Sequence, residues 1–257
     1  MKQVAQQTEY QRLRNLITPS LVFNQTLYES VLQECVGANT VWLDAGCGHK
    51  LLPAWRGESE VALINSAQFA CGCDVDRAAI GGHRSLKRLV SCDLTALPFK
   101  DSSFTLITCN MVAEHLDDPV SVFREFARIL IAGRGVVIVH TPYSWSYFSI
   151  VSRMIPQAIK DRIGSFMDGR PPADYYPVRY RCNTPRRLGR LFRAVGMEQS
   201  HVHMWASDAV LQSLAGSFLG RVPLRLELNL IKLSLRPAWR YLRVTLCGIF
   251  TKPVCST

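Results

Sequence analysis

The sequence predicts an α/β fold, a mostly parallel seven-stranded sheet with helices on both faces, and three observations predict it. The first is rhythm. From Thr40 onward, short apolar runs (Val41–Ala45, Ala70–Val75, Lys87–Val90, Thr105–Asn110, Gly135–Thr141) are separated by stretches of helical spacing. Runs of this kind suit strands buried on both faces. The second is an apolar strand ending in Asp-x-Gly-x-Gly (Val41 to Gly48), followed by acidic residues at the ends of the next two strands. The third is size: 257 residues, 48% hydrophobic and 19% charged, can bury one large core, so 1–257 reads as a single domain.

Taken in order, residues 1–39 carry one or two helices over 8–37, with Leu13, Leu16 and Ile17, then Leu27, Val31 and Leu32, at helical spacing. They read as a lid or docking element. The core spans 40–142, and its clearest helix runs from about Pro119 to Ile131, stopped by Gly133 and Gly135. Residues 143–183 are rich in aromatics (Tyr143, Trp145, Tyr147, Phe148, Tyr175, Tyr176, Tyr180) and broken at Pro156, Pro171, Pro172 and Pro177. This is too long for a connection and reads as a cap between strands five and six. Residues 184–257 complete the sheet. A helix from Thr184 or Pro185 to Val195 precedes a strand over Met197–Trp205, and Tyr241–Lys252 reads as a buried strand. Between them, 224–235 fits either a strand or a helix, because its alternation coexists with a stripe of Leu224, Leu228, Ile231 and Leu235.

Composition narrows the setting. No leader and no apolar run of spanning length is visible, so the chain is expected to fold in the cytoplasm. The nine cysteines are scattered and sit mostly in apolar runs, as reduced core thiols do. Cys71-x-Cys73 lacks a second pair at ligand spacing, so no metal is expected. The formal charge of +10 is uneven: residues 1–150 hold 13 Lys and Arg against 14 Asp and Glu, and 151–257 hold 17 against 6. The basic C-terminal part suits an anionic partner, or simply a solvated face.

Glycine after an apolar strand lets the backbone turn tightly and approach a ligand closely. Asp74, ending the second strand, is placed to bind ribose hydroxyls. Asp93, after the third, is placed to accept from an adenine amino group. All three lie at carboxyl ends of strands, where open α/β sheets bind ligands.

The ordered set Leu43-Asp44-Ala45-Gly46-Cys47-Gly48, Asp93 to Phe104 (with Leu97-Pro98-Phe99), Glu114-His115-Leu116 and Arg128 to Pro142 resembles the class I S-adenosylmethionine-dependent methyltransferases of bacterial small-molecule type. The resemblance covers about 40–142 and implies a Rossmann-like fold with S-adenosylmethionine as cofactor. It implies that Asp44, Ala45, Gly46, Cys47 and Gly48 surround the amino-acid end of the cofactor, Asp74 the ribose, Asp93 and Leu94 the adenine, and that Asn110 lies near the methionine moiety. The chain departs from the pattern at Lys50, where a third glycine is usual, in a long Gly48–Asp74 interval, at Thr105, and at Ala132-Gly133-Arg134-Gly135. Asp76 is a second candidate for the ribose contact.

Glu114 and His115 follow strand four, where the methyl group would be presented, so His115 is a candidate general base. The pair could equally order the loop. His140, ending strand five, is a further candidate. His49, His83, His201 and His203 carry no such signal. The expected activity is methyl transfer to a small-molecule, sugar or lipid-linked acceptor, directed at oxygen; the alternative is a non-catalytic binding or scaffold protein of the same fold. Nucleic acid is disfavoured, because Asn110-Met111-Val112-Ala113 stands where base methyltransferases carry Asn/Asp-Pro-Pro-aromatic. Arg170, Arg179, Arg181 and the helix arginines 186, 187, 190 and 193 suit an anionic acceptor. The basic, apolar segment Phe218–Tyr241 adds peripheral membrane contact as an option.

Overall fold

The computed structural model describes residues 2–53, 56–154, 176–207 and 221–254. Residues 155–175 of the expected cap, with Pro156, Arg170, Pro171, Pro172 and Tyr175, lie outside the described residues, as does Phe218. Helices α1 (Lys2–Ile17) and α2 (Asn24–Cys35) precede β1 (Val41–Ala45). Then follow α3 (Gly57–Ser66), β2 (Phe69–Asp74), α4 (Arg77–Gly81), β3 (Leu89–Ser91), β4 (Leu106–Asn110), α5 (Pro119–Ile129) and β5 (Val136–Pro142). The chain continues through α6 (Tyr147–Met154), α7 (Pro185–Ala194), β6 (Glu198–Trp205), α8 (Arg221–Ser234) and β7 (Thr245–Thr251).

The strands form one sheet in the order β3-β2-β1-β4-β5-β7-β6. β1 pairs in parallel with β2 and β4, β2 with β3, and β4 with β5. β7 runs antiparallel to β5: the Lys252 N–H donates to the Gly135 carbonyl at one end and the Tyr143 N–H to the Val244 carbonyl at the other. Leu43, Ile107, Val137, Ile138 and Val139 are fully buried, as the apolar runs require of strands covered on both faces. From β1 the chain winds outward through β2 and β3, then returns beside β1 as β4 and winds the other way. Right-handed crossovers in opposite directions put their helices on opposite faces and leave a crevice at the carboxyl ends of β1 and β4.

Local chemistry sets the helix starts. Asp118 caps α5 by accepting from the Val120 and Ser121 N–H groups, with Pro119 at the first helical position. Thr184 caps α7 by accepting from the Arg187 N–H. α5 ends two residues earlier than its pattern suggests, because Leu130 turns extended and bridges to Phe104. Phe123 of α5 stacks on Phe192 of α7 at 4.1 Å between centroids, and Phe192 on Phe250 of β7 at 3.9 Å, pinning both helices to the sheet.

The chain divides into two compact units. One comprises Gln25–Pro142, Val178–His203 and Leu246–Thr257, and holds almost the whole sheet. The other comprises Met1–Asn24, Tyr143–Pro177 and Met204–Thr245. In this second unit, Leu224, Leu228 and Ile231 of α8 pack with Tyr10, Leu13, Leu21 and Ala206, which resolves the ambiguous 224–235 segment as a helix. The alternation had a simple cause: Val222, Leu226 and Leu230 form a second apolar line on the same helix, and these three are exposed.

Candidate active site

Asp44 ends β1 opposite Thr108 of β4 and is buried. The Thr108 hydroxyl donates to Asp44 Oδ1 at 2.6 Å and itself accepts from the Trp42 indole N–H at 2.8 Å, so its single proton is directed at the carboxylate. Burial pushes the Asp44 carboxyl up to about 7; the Thr108 bond opposes this, while the charges of Glu60 and Asp74 add to it. Among the described residues no Lys or Arg lies in ion-pair range of Asp44. Glu60, by contrast, is held by Arg84, Ser85 and the Leu52 N–H.

Past Asp44 the backbone turns on Gly46 (φ +75°) and Gly48 (φ +52°). The Gly46 and Cys47 N–H groups donate to the Cys73 carbonyl at 2.8 and 3.0 Å. A side chain at Gly46 would collide with Val112, whereas the space beside Gly48 is open. Cys47 is buried against Gly72, where an added Cβ would lie 2.7 Å from its sulfur. Asp74 accepts from the Gly48 N–H and the Asp76 N–H, each at 2.9 Å. The long approach to Asp74 is occupied by α3, and Asp76 caps α4 through the Ala78 and Ala79 N–H groups.

Asp93 is exposed just past β3 and accepts from the Thr95 N–H and hydroxyl; Leu94 beside it is half-buried. The following Leu97–Asp101 stretch is held by a pair on α5. Arg128 donates to the Leu97 and Phe99 carbonyls, to Asp101 and to Glu125, while Glu125 accepts from the Leu97 N–H. Sequence reasoning missed this clamp, although Arg128 stands inside the motif that carried the resemblance.

The end of β4 holds the remaining candidates. Asn110 is half-buried, and its amide oxygen lies 2.8 Å from His140 Nδ1. Full burial pushes the His140 imidazole down to about 3, so it is neutral, and Nδ1 carries the proton that the amide oxygen accepts. Its ring stacks on buried Tyr28 of α2 at 5.1 Å. A group with no exposed surface and so little basicity is not suited to proton transfer with an acceptor; what the structure gives His140 is the contact to the Asn110 amide. Met111, next in the chain, has φ +57°, an uncommon backbone state for a side chain of its kind that concentrates at functional sites.

Glu114 is buried, accepts from the Thr141 hydroxyl at 2.8 Å, and has its carboxyl pushed up chiefly by burial. Its backbone carbonyl accepts from the Arg179 and Tyr180 N–H groups. His115 Nε2 lies 3.8 Å from the Glu114 carboxylate, with 29% of the His115 side chain exposed. Glu114 therefore faces inward, while His115 keeps open surface. Beside them Arg179 pairs with Asp117 at 2.9 Å. His201 and His203 lie exposed on β6, apart from this group.

S-adenosylmethionine is a cation at its sulfonium and carries an ammonium. The donor set fits it: a buried carboxylate without a cationic partner among the described residues, a second carboxylate at the glycine turn, and open space where a Cβ at Gly48 would stand.

Comparison with known proteins agrees with this arrangement. Residues 43–139 match a protein family described as a methyltransferase domain. The demethylmenaquinone methyltransferase of Deinococcus radiodurans is 28% identical over 159 residues, 58% of this chain and 66% of that protein. A probable S-adenosylmethionine-dependent methyltransferase of Mycobacterium tuberculosis is 30% identical over 122 residues, 46% of this chain and 41% of that protein. The chain thus spans less than two thirds of the length of these relatives. In fold it is similar to a putative methyltransferase of Haloferax volcanii, solved with the Trm112 activator (TM-score 0.59, 15% identity, 88% of each chain). Motif order, sheet order and these matches converge on residues 43–139, which form a methyltransferase domain similar to those of S-adenosylmethionine-dependent enzymes.

Proposed function

We propose that this protein transfers a methyl group from S-adenosylmethionine to the oxygen of a small-molecule acceptor, lipid-linked or anionic in character. The observation that carries the reading is the convergence of Asp44, Gly48, Asp74, Asn110 and His115 at the carboxyl ends of β1, β2 and β4. The cofactor supplies a methyl group on a good leaving group, so the protein's task is to position, to exclude water and to receive a proton. Asp44 attracts the cationic amino-acid end, Asp74 the ribose, and Asp93 with Leu94 the adenine. His140 holds Asn110, and Glu114 orients His115, which takes the proton of the acceptor hydroxyl.

The Deinococcus relative is named for demethylmenaquinone, which supports a small-molecule acceptor, and Arg179 with Arg181 on the single carboxylate of Asp117, near His115, leave an excess of positive charge that supports an anionic group. The sequence Asn110-Met111-Val112-Ala113 disfavours a nucleic-acid base. Calorimetric titration with S-adenosylmethionine and its demethylated product tests the first step; absence of binding to both would leave the fold as a non-catalytic binding module. Labelled-methyl transfer to cell extracts then identifies the acceptor. His115→Asn should retain cofactor affinity and lose activity by about a hundredfold or more; unchanged turnover would remove His115 as the base.

A further inference from the structure

In the second unit, α8 is apolar on two sides. Leu224, Leu228 and Ile231 are buried in the unit's own core. Val222, Leu226 and Leu230, at i, i+4 and i+8, are 57%, 63% and 42% exposed. A line of three large aliphatic side chains along one helix is unlike the scattered exposed apolar residues of an ordinary surface. At 100° per residue, Arg221, Arg225 and Lys232 fall on the flank between the exposed line and the buried one. The 3-10 turn that follows, Pro237–Leu242, exposes Trp239 at 50% between exposed Arg236 and Arg240.

Charge selects the partner. Residues 221–243 hold six Lys and Arg against one acid, Glu227, and Glu227 is buried and accepts from the Tyr147 hydroxyl at 2.9 Å. Arg221 pairs with Glu9 of α1 and Arg243 donates to the Ser234 and Met204 carbonyls, so the surface combines aliphatic side chains, one tryptophan and the exposed Arg225, Lys232, Arg236 and Arg240, with no exposed carboxylate in the segment. A helix lying at a lipid interface needs this pairing: apolar side chains to enter the acyl boundary and Lys or Arg to meet anionic headgroups. We infer that α8 and the Pro237–Leu242 turn form a docking surface for an anionic membrane, on which the protein sits peripherally. Among the described residues no helix is long and apolar enough to cross one.

Flotation of the full chain with phosphatidylcholine vesicles, with and without phosphatidylglycerol, tests this. Recovery is expected with the anionic vesicles at low salt and little with the neutral ones. Arg225→Gln with Lys232→Gln, and separately Leu226→Gln with Leu230→Gln, should each lower recovery by about fivefold or more. Thermal midpoint and cofactor affinity should stay unchanged, since these side chains are exposed. No recovery with anionic vesicles overturns the inference, and so does recovery that neither double variant changes. Self-association in sedimentation velocity, abolished by Leu226→Gln with Leu230→Gln and accompanied by no vesicle binding, would assign the face to a second copy of the chain and overturn it too.

Discussion

The two units handle polarity in opposite ways. In the sheet-bearing unit, charged groups are drawn inward and matched: Glu60 to Arg84, Glu29 to Arg56 and Glu125 to Arg128, while Glu114 faces His115 at 3.8 Å. Asp44 is the exception, buried with a hydroxyl for company. In the other unit the described C-terminal segment leaves apolar side chains outside, in a stretch where Lys and Arg outnumber acids. A buried anion without a counter-ion and an exposed apolar line are each unfavourable for an isolated protein. The cationic cofactor is proposed to meet the first, and an anionic membrane the second.

Four measurements would break or sharpen that contrast. Phe192→Ala, at the centre of the Phe123–Phe192–Phe250 stack, should destabilise the sheet-bearing unit by about 3–5 kcal/mol in chemical denaturation. A small effect would mean that the unit is not held at this stack. Asp44→Ala should weaken S-adenosylmethionine binding by about 3 kcal/mol or more, a hundredfold or more in Kd, by calorimetry.

The third concerns pH. Asp44 must be ionised to meet a cation and its carboxyl titrates at about 7, so wild-type affinity should fall as pH drops through that value. For the free protein the sign reverses: a carboxyl raised above its unfolded value makes the fold less stable as pH climbs from about 4 to 7. Thr108→Val removes a bond that favours the charged form, so it should move the acid limb of cofactor binding to higher pH. It should also destabilise the fold by about 1–3 kcal/mol, since the Trp42 N–H loses its acceptor. An unmoved limb would show that Asp44 is not the titrating group. The smallest effect belongs to Leu226→Gln, expected within about 0.5 kcal/mol of wild type in thermal denaturation because the side chain is exposed; a larger loss would show that the line is structural.

Much of the sheet-bearing unit was legible in the sequence. The apolar runs named β1, β2, β4 and β5 to within a residue or so, since strands buried on both faces leave little freedom in composition. Pro119 and Thr184-Pro185 marked the starts of α5 and α7, because helix starts follow local chemistry, whereas the Asp118 cap came from the structure. α3 went unmarked inside the long Gly48–Asp74 interval. The fold of α8 was undecidable because both of its apolar lines fit a two-residue alternation, and only its packing against Tyr10, Leu13 and Leu21 chose the helix.

Read alone, the sequence determined the fold class and where glycine turns and acids stand at strand ends, since those depend on periodicity and on local composition. Tertiary structure decided what each group can do there. His140 looked like a base on the active face, yet its burial against Tyr28 makes it neutral and binds it to Asn110. Asp44 stood out only as the acid of the glycine turn, yet the surrounding core raises its carboxyl to about 7. Protonation answers to the local dielectric and to partners brought from distant sequence, and no spacing along the chain encodes either.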